Sequence, residues 1–151
     1  MPGGSDRMTT SVWVKRPDIE ALNALHEGTA VAHLGIEMTS VGDDHLCGRI
    51  PVDARTIQPF GLLHGGASVL LLETLASAAA NHCVDAEQFM CVGMEVNCNH
   101  LRGVRQGSVE GRATLVAKTR SSMVWQLEAH DDQGRQVSVG RLTAAIVVRQ
   151  R

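Results

Sequence analysis

The chain of 151 residues is about the size of one domain, and its formal net charge at pH 7 is only −2. A nearly neutral protein lacks the field that favours nucleic acid or an anionic membrane surface as its main partner. Aromatic residues make up 3% of the chain, so a platform for stacked bases is also unexpected. Hydrophobic residues reach 44%, which is enough to fill an aliphatic core.

The beginning of the chain differs in composition from the rest. Residues 1–11 contain little to bury and are predicted to form a disordered tail, followed by a single domain over residues 12–151. The tail lacks the apolar segment of a signal peptide, and Met8 is an alternative start to Met1. The four cysteines form no C-x-x-C pair, and no apolar run is long enough to span a membrane. We therefore expect buried free thiols and a cytoplasmic protein.

The first half of the chain predicts a short helix, a hairpin and a long helix. Asp18, followed by Ile19, Leu22 and Leu25, is a typical N-cap for an amphipathic helix that closes at Gly28. Apolar residues alternate over 34–38 and again over 46–52, which indicates two paired strands. The segment 65–80 is rich in Ala and Leu and apolar on nearly every side, as is typical of a buried helix.

The second half predicts four more strands. Alternating apolar residues occupy 92–100, 109–117 and 123–129, and a last strand over 137–148 is expected to bend near Gly140, where its apolar phase changes. An antiparallel sheet wrapped around one central helix accommodates this order and the all-round apolarity of the helix. The expected fold class is therefore α+β.

Glu73 is an acid in an unusual place, because its neighbours on the predicted helix are leucines and alanines. A carboxylate rarely enters such surroundings unpaired, and a poorly solvated one is reactive. Ser77 lies one turn further on the same face. The alternatives are that Glu73 faces solvent, or that it is satisfied by Thr74, Ser77 or a neighbouring chain.

The start of the long helix offers hydrogen-bond donors. His64-Gly65-Gly66 opens it, and the free N–H groups of a helix N-terminus carry partial positive charge. The Gly65 and Gly66 amides are therefore candidates to hold a carbonyl oxygen as charge builds on it, with Gln58 or His64 assisting. An ordinary glycine-rich helix start with a structural histidine is the alternative. The histidines show no metal-ligand spacing, and no metal is predicted.

The distance between these two features matters for chemistry. Glu73 lies eight residues beyond Gly65, which is roughly 12 Å along a helix. A base or nucleophile must come within about 3 Å of the atom it serves, so both groups of one chain cannot serve the same carbonyl. Two antiparallel copies of the helix can bring them together. This predicts a symmetric dimer with two equivalent sites for acyl transfer to water.

One segment makes the sequence recognisable. Residues 58–68, Gln-Pro-Phe-Gly-Leu-Leu-His-Gly-Gly-Ala-Ser, together with Glu73-Thr-Leu-Ala-Ser77, resemble hot-dog-fold acyl-CoA thioesterases of the 4-hydroxybenzoyl-CoA type. The likeness extends from Val12 to Val148 and is strongest to a branch of proofreading thioesterases from enterobactin synthesis and their menaquinone-pathway paralogues. It implies five or six antiparallel strands around one long helix, and dimers that join their sheets and usually pair again into tetramers.

The resemblance also implies a role for each matching residue. Glu73 matches the catalytic carboxylate, as nucleophile or as general base, and Gly65 matches the amide that polarises the thioester carbonyl. Gln58 and His64 match residues that assist from the partner subunit, and Ser77 matches a hydroxyl that orients the carboxylate or water. His100 would approach the acyl group and Arg102 the CoA. Further candidates for contacts with CoA phosphates are Arg105, Lys118, Arg120, Ser121 and Ser122.

The expected activity is hydrolysis of an acyl- or aroyl-thioester of CoA, or of a carrier protein, without a metal or another cofactor. Two other functions stay open at this point. One is a hot-dog hydratase or dehydratase acting on 3-hydroxyacyl thioesters. The other is a non-catalytic acyl-CoA-binding module, which leaves the acid at Glu73 unexplained.

Overall fold

The structure, a computed structural model, describes residues 10–150, so nearly all of the predicted tail lies outside the described part. A short helix that the sequence reading missed, α2, follows α1. Otherwise the predicted order of elements is confirmed. The elements are α1 (Ile19–Leu25), α2 (Ala30–His33), β1 (Glu37–Val41), β2 (His45–Pro51), α3 (Gly65–His82), β3 (Phe89–His100), β4 (Ser108–Lys118), β5 (Ser122–Asp131) and β6 (Gln136–Val148).

The six strands form one antiparallel sheet in the order β1-β2-β4-β5-β6-β3. α3 packs against β2, β3, β4, β5 and β6 and fills the concave side of the sheet. The chain leaves α3 and returns along β3, which forms one edge. This arrangement is the hot-dog fold, as predicted. The largest fully buried side chains are Trp125, Leu46, Ile50, Leu71, Leu72, Leu75, Met123, Leu127 and Leu142.

Two glycines allow α3 to lie close to the sheet. Gly48 and Gly111 face each other in the ladder between β2 and β4. A methyl group on Gly48 would lie 2.9 Å from Leu75 Cδ2, and one on Gly111 would lie 2.9 Å from Leu71 Cδ2. Both leucines are 0% exposed. A side chain at either strand position would collide with a leucine of α3 and push the helix away from the sheet. The burial of each leucine, which contributes about 1.5–3 kcal/mol, would then be reduced.

The predicted first strand begins too early. Thr29 accepts a hydrogen bond from the Val31 N–H and so caps α2, a signal that the sequence reading missed. Gly35 then turns the chain at a φ of +73°, in the left-handed region that favours glycine. As a result β1 starts at Glu37. The hairpin with β2 is confirmed, although β2 ends at Pro51, one residue before its predicted end.

Two details of the prediction for β3 and β6 differ from the structure. A bulge between Gly93 and Glu95 shifts the ladder, so the predicted single apolar face of β3 is wrong in its first half, and Met94 is 67% exposed. At Gly140 the ladders to β3 and β5 continue without a shift, contrary to the expected irregularity. The apolar phase of β6 changes because its inward positions there are Ser138 and Gly140. The β3 backbone occupies the place of a Cβ on Gly140.

All four cysteines are free thiols: Cys47, Cys83 and Cys91 are buried, and Cys98 is half-buried. Burial raises the pKa of the Cys83 thiol to about 11, which makes it unreactive at neutral pH. Within residues 10–150, none of the helices has both the length and the apolarity required to cross a bilayer.

Candidate active site

The N-terminus of α3 presents one free amide. His64 is its N-cap, and the His64 Nδ1 accepts a hydrogen bond of 2.8 Å from the Gly66 N–H. The Gly66 amide is therefore occupied, which corrects the hypothesis that it holds a carbonyl oxygen. Among residues 10–150 no acceptor takes the Gly65 N–H. Because Nδ1 accepts, the neutral His64 ring carries its proton on Nε2, which is a second donor.

A cavity of about 370 Å³ at this end of α3 brings four of the predicted residues together: Gln58, Gly65, His100 and Arg102. We call it the Gly65 pocket. The Gln58 Oε1 accepts a hydrogen bond from the Phe60 N–H, so the Gln58 amide group keeps its two N–H donors for a ligand. A methyl group on Gly65 would lie 2.9 Å from His100 Nε2, which shows that the imidazole packs directly over the glycine.

Ser68 also lines the Gly65 pocket, although it is only 2% exposed. The sequence reading gave this residue no role. It lies one turn beyond Gly65, so its hydroxyl faces the same side of α3. The available signal was a polar residue in a helix that is otherwise apolar.

A second cavity, of about 580 Å³, contains Glu73 and Ser77 and lies between α1 and α3. We call it the Glu73 pocket. Glu73 is half-buried, so in this chain it is less shielded than its apolar neighbours led us to expect. Thr74 does not satisfy it, because the Thr74 Oγ1 donates to the Leu70 carbonyl. Within residues 10–150 the carboxylate has neither a hydrogen-bond nor an ion-pair partner.

The carboxylate of Glu73 points at the edge of the sheet. A methyl group on Gly93 would lie 3.2 Å from Glu73 Oε1, so the missing side chain of this β3 glycine leaves room for the acid. Gly93 pairs with Ala144 of β6, whereas His100, over Gly65, pairs with Ser138. These two positions on β6 are about 20 Å apart along the strand. Within one chain, no carbonyl can contact both Glu73 and the Gly65 amide.

The hairpin between β4 and β5 carries three more predicted residues, Arg120, Ser121 and Ser122. The Ser121 carbonyl accepts a hydrogen bond from the Ile146 N–H, which lies close to Ala144 on β6. The hairpin therefore lies at the same end of the sheet as Glu73. It does not join Arg102 in the Gly65 pocket.

The other two basic candidates have internal partners. The Lys118 Nζ donates to the Cys83 carbonyl at the C-terminus of α3, at a distance of 2.7 Å. The Arg105 Nη1 donates to the Phe60 carbonyl at 3.2 Å. Lys118 thus caps a helix end, where a cation is favourable, and is a weaker candidate for binding phosphate.

Comparison with known proteins gives the family. Residues 60–138 match the model of the thioesterase superfamily. The 1,4-dihydroxy-2-naphthoyl-CoA hydrolase of Escherichia coli is 46% identical over 90% of this chain and 99% of its own. The proofreading thioesterase EntH of Cronobacter turicensis is 45% identical over 90% of this chain and 98% of its own.

A solved structure agrees with the sequence relatives. The crystal structure of a mutant of thioesterase PA1618 from Pseudomonas aeruginosa superimposes with a TM-score of 0.91 at 45% identity, covering 92% of this chain and all of the other. The chain that carries the Gly65 pocket and the Glu73 pocket belongs to the thioesterase superfamily and is a thioester hydrolase.

Proposed function

We propose that the protein hydrolyses acyl- or aroyl-thioesters of CoA to a free acid and a thiol, at sites that each combine two copies of the chain. One observation carries this proposal: within residues 10–150, the Gly65 pocket offers donors without a carboxylate, and the Glu73 pocket offers a carboxylate without the free backbone amide of a helix start. A relative that is named as a hydrolase of an aroyl-CoA supports CoA as the thiol. A carrier-protein thioester is the alternative substrate, because it presents the same pantetheine arm.

The edge strand β3 supports the assembly. Among residues 10–150 no strand pairs with its outer side, and Met94 and Val92 on it are 67% and 43% exposed. If two β3 strands pair antiparallel about an axis between Val96 and Asn97, Gly93 of each copy lies opposite His100 of the other. Glu73 then meets the Gly65 pocket of the second copy. We propose this dimer as the unit that pairs again into a tetramer.

The proposed chemistry follows from the two half-sites. The Gly65 N–H and the positive end of α3 would polarise the thioester carbonyl, with the Gln58 amide and His64 Nε2–H as further donors. Glu73 would attack the carbonyl carbon itself or remove a proton from an attacking water, and the Ser77 hydroxyl would orient the carboxylate or the water. By either route the C–S bond breaks, the sulfur leaves as a thiol after gaining a proton, and water supplies the new oxygen of the acid.

CoA would lie along the dimer between cationic groups at two ends of the sheet. Arg102 is exposed at the rim of the Gly65 pocket, and Arg120 is exposed on the β4–β5 hairpin with Ser121 beside it. In the paired arrangement each hairpin approaches the Gly65 pocket of the other copy. Arginine and hydroxyl donors at such places suit the phosphates of CoA. A CoA substrate and four free thiols also support a cytoplasmic location.

The experiment compares Glu73→Ala and Glu73→Gln with wild type in an assay of thiol release from benzoyl-CoA and from acyl-CoA esters of different length. We expect kcat to fall by about a thousandfold or more in both variants, because they lose the attacking group or base. Melting temperatures should stay close to wild type, because the Glu73 side chain makes no hydrogen bond within residues 10–150. The control is Glu20→Gln, an exposed acid on α1. Near wild-type turnover without Glu73 would overturn the proposal.

A further inference from the structure

The far end of the Glu73 pocket contains two histidines that no step of the proposed reaction uses. His26 lies at the end of α1 and His82 at the end of α3, and both rings are half-buried and line the cavity. The apolar part of the wall is formed by Leu22, Leu25, Val31, Leu70 and Ala78. Thr74, Ser77 and Asn81 also line the cavity, but the Thr74 and Asn81 side chains are hydrogen-bonded to the backbone. A polar pair at the end of an apolar pocket is the usual arrangement for fixing the orientation of a ligand.

Hydrogen bonds to the helices fix which ring nitrogen is free. The His26 Nδ1 lies 2.8 Å from the Leu22 carbonyl, and the His82 Nδ1 lies 2.9 Å from the Ala78 carbonyl. A carbonyl only accepts, so both Nδ1 atoms carry a proton and donate it. In the neutral ring, Nε2 is then a lone-pair acceptor. Each ring therefore keeps Nε2 as the nitrogen that can accept a hydrogen bond from a donor on a ligand.

The depth of the pocket suits an acyl group of moderate length. Ala78, whose carbonyl holds the His82 ring, lies five residues beyond Glu73, which is about 7.5 Å along the helix. A thioester carbonyl beside Glu73 would point its acyl group along these apolar walls toward the imidazoles. Arg149 lines the same end of the pocket, and its guanidinium only donates. A hydroxyl on the ligand can satisfy an imidazole and Arg149 together, because it donates to the imidazole and accepts from the guanidinium.

We infer that His26 and His82 are specificity-determining residues, and that the Nε2 of one of the two rings accepts the hydrogen bond from a hydroxyl at the distal end of the acyl group. This inference rests on the proposed function, because it takes the Glu73 pocket to be the acyl site. It assigns discrimination between acyl groups to two imidazoles outside the reacting centre. An acyl group of the same shape without the donor would cover that acceptor and leave it unpaired, which weakens its binding.

The test measures kcat/KM for three substrates that differ only in the group at the para position of the ring: 4-hydroxybenzoyl-CoA, 4-methoxybenzoyl-CoA and benzoyl-CoA. The methoxy oxygen accepts but cannot donate. Wild type should prefer the hydroxyl substrate over both others by about tenfold, the effect of one or two hydrogen bonds. His26→Phe and His82→Phe should bring the hydroxyl-to-benzoyl ratio toward one. His33→Phe, an exposed histidine on α2 outside the cavity, should keep the wild-type ratio.

Each outcome decides a different claim. Equal rates with the hydroxyl and benzoyl substrates in wild type, or a methoxy substrate as good as the hydroxyl one, would overturn the inference and leave the thioesterase proposal intact. If wild type releases no thiol from any of the CoA esters, the proposed function is refuted instead. In that case, calorimetric binding of non-hydrolysable phenacyl-CoA thioethers, with and without a 4-hydroxyl group, decides the inference, and equal affinities would overturn it.

Discussion

The two pockets of this chain differ in what each lacks. The Gly65 pocket has donors from a helix N-terminus, an amide side chain and a buried serine, but no acid lines it. The Glu73 pocket has a carboxylate and a hydroxyl against apolar walls, but no free backbone amide of a helix start. One helix supplies both, at its first residue and at its middle. The difference teaches that one helix can carry two complementary groups too far apart to serve one carbonyl, which is why the proposed site takes one group from each of two copies.

The largest effect on turnover in the Gly65 pocket is expected from removing the Gly65 N–H donor. Gly65→Pro should lower kcat by about a hundred- to a thousandfold, because it deletes the N–H that polarises the carbonyl. Proline suits the first position of a helix, and His64 before it is already extended, at φ −64° and ψ 130°. The measurement is steady-state thiol release at saturating substrate.

Gly65→Ala is the matched control for that change. It places the same first carbon against the His100 ring but keeps the N–H, so it should lose much less activity than Gly65→Pro. Equal losses in the two variants would mean that crowding of His100, and not the amide, explains the effect.

A smaller effect, on KM, is expected at the two arginines that are proposed to contact the phosphates of CoA. Arg102→Ala and Arg120→Ala should each raise KM for a CoA ester about three- to tenfold with little change in kcat, because they lose a contact to phosphate and none to the reacting carbonyl. The increase should shrink with a pantetheine thioester, which lacks the nucleotide. If Arg120→Ala has no effect while Arg102→Ala does, the hairpin lies outside the CoA path.

The smallest effect on turnover is expected at a turn whose residues line neither pocket. Burial favours the neutral acid and would raise the pKa of Asp131, but hydrogen bonds from Arg135 and Gln133 outweigh this and lower the pKa. A lowered pKa stabilises the fold above the unfolded value, and this contribution is lost as pH falls through the folded value. Urea unfolding should show Asp131→Asn to be less stable than wild type near pH 7, and the difference in unfolding free energy should close as pH falls through the lowered pKa of Asp131. Its kcat should match wild type.

Much of the fold followed from the sequence, because periodicity and length reveal elements that pack as separate units. α3 was predicted from its length and apolarity, and its N-terminus from the glycines after His64. The bulge in β3 could not be predicted, since the alternation of residues along one strand does not show how the strand pairs with β6 or that Gly93 lies beside Glu73. α2 was missed because a single helical turn has almost no periodicity, although Thr29 was a readable cap.

The site was predicted less completely than the fold, for a physical reason. The rise of a helix was enough to show that Glu73 and Gly65 cannot meet within one chain. The predicted role of the Gly66 amide was wrong, because the sequence does not show that the His64 side chain folds back and accepts the hydrogen bond of the Gly66 N–H. Ser68 and the histidines of the Glu73 pocket were not assigned, since residues from α1 and α3 converge there only after folding.

The most direct test of the shared site is complementation between two inactive variants. Glu73→Ala and Gly65→Pro subunits, each with a different affinity tag, are co-expressed, and the mixed dimer is purified on both tags in turn. In that dimer one site carries both substitutions and the other carries neither, so it should recover about half of the wild-type activity. A mixed dimer no more active than the two parent variants would contradict a site built from two chains.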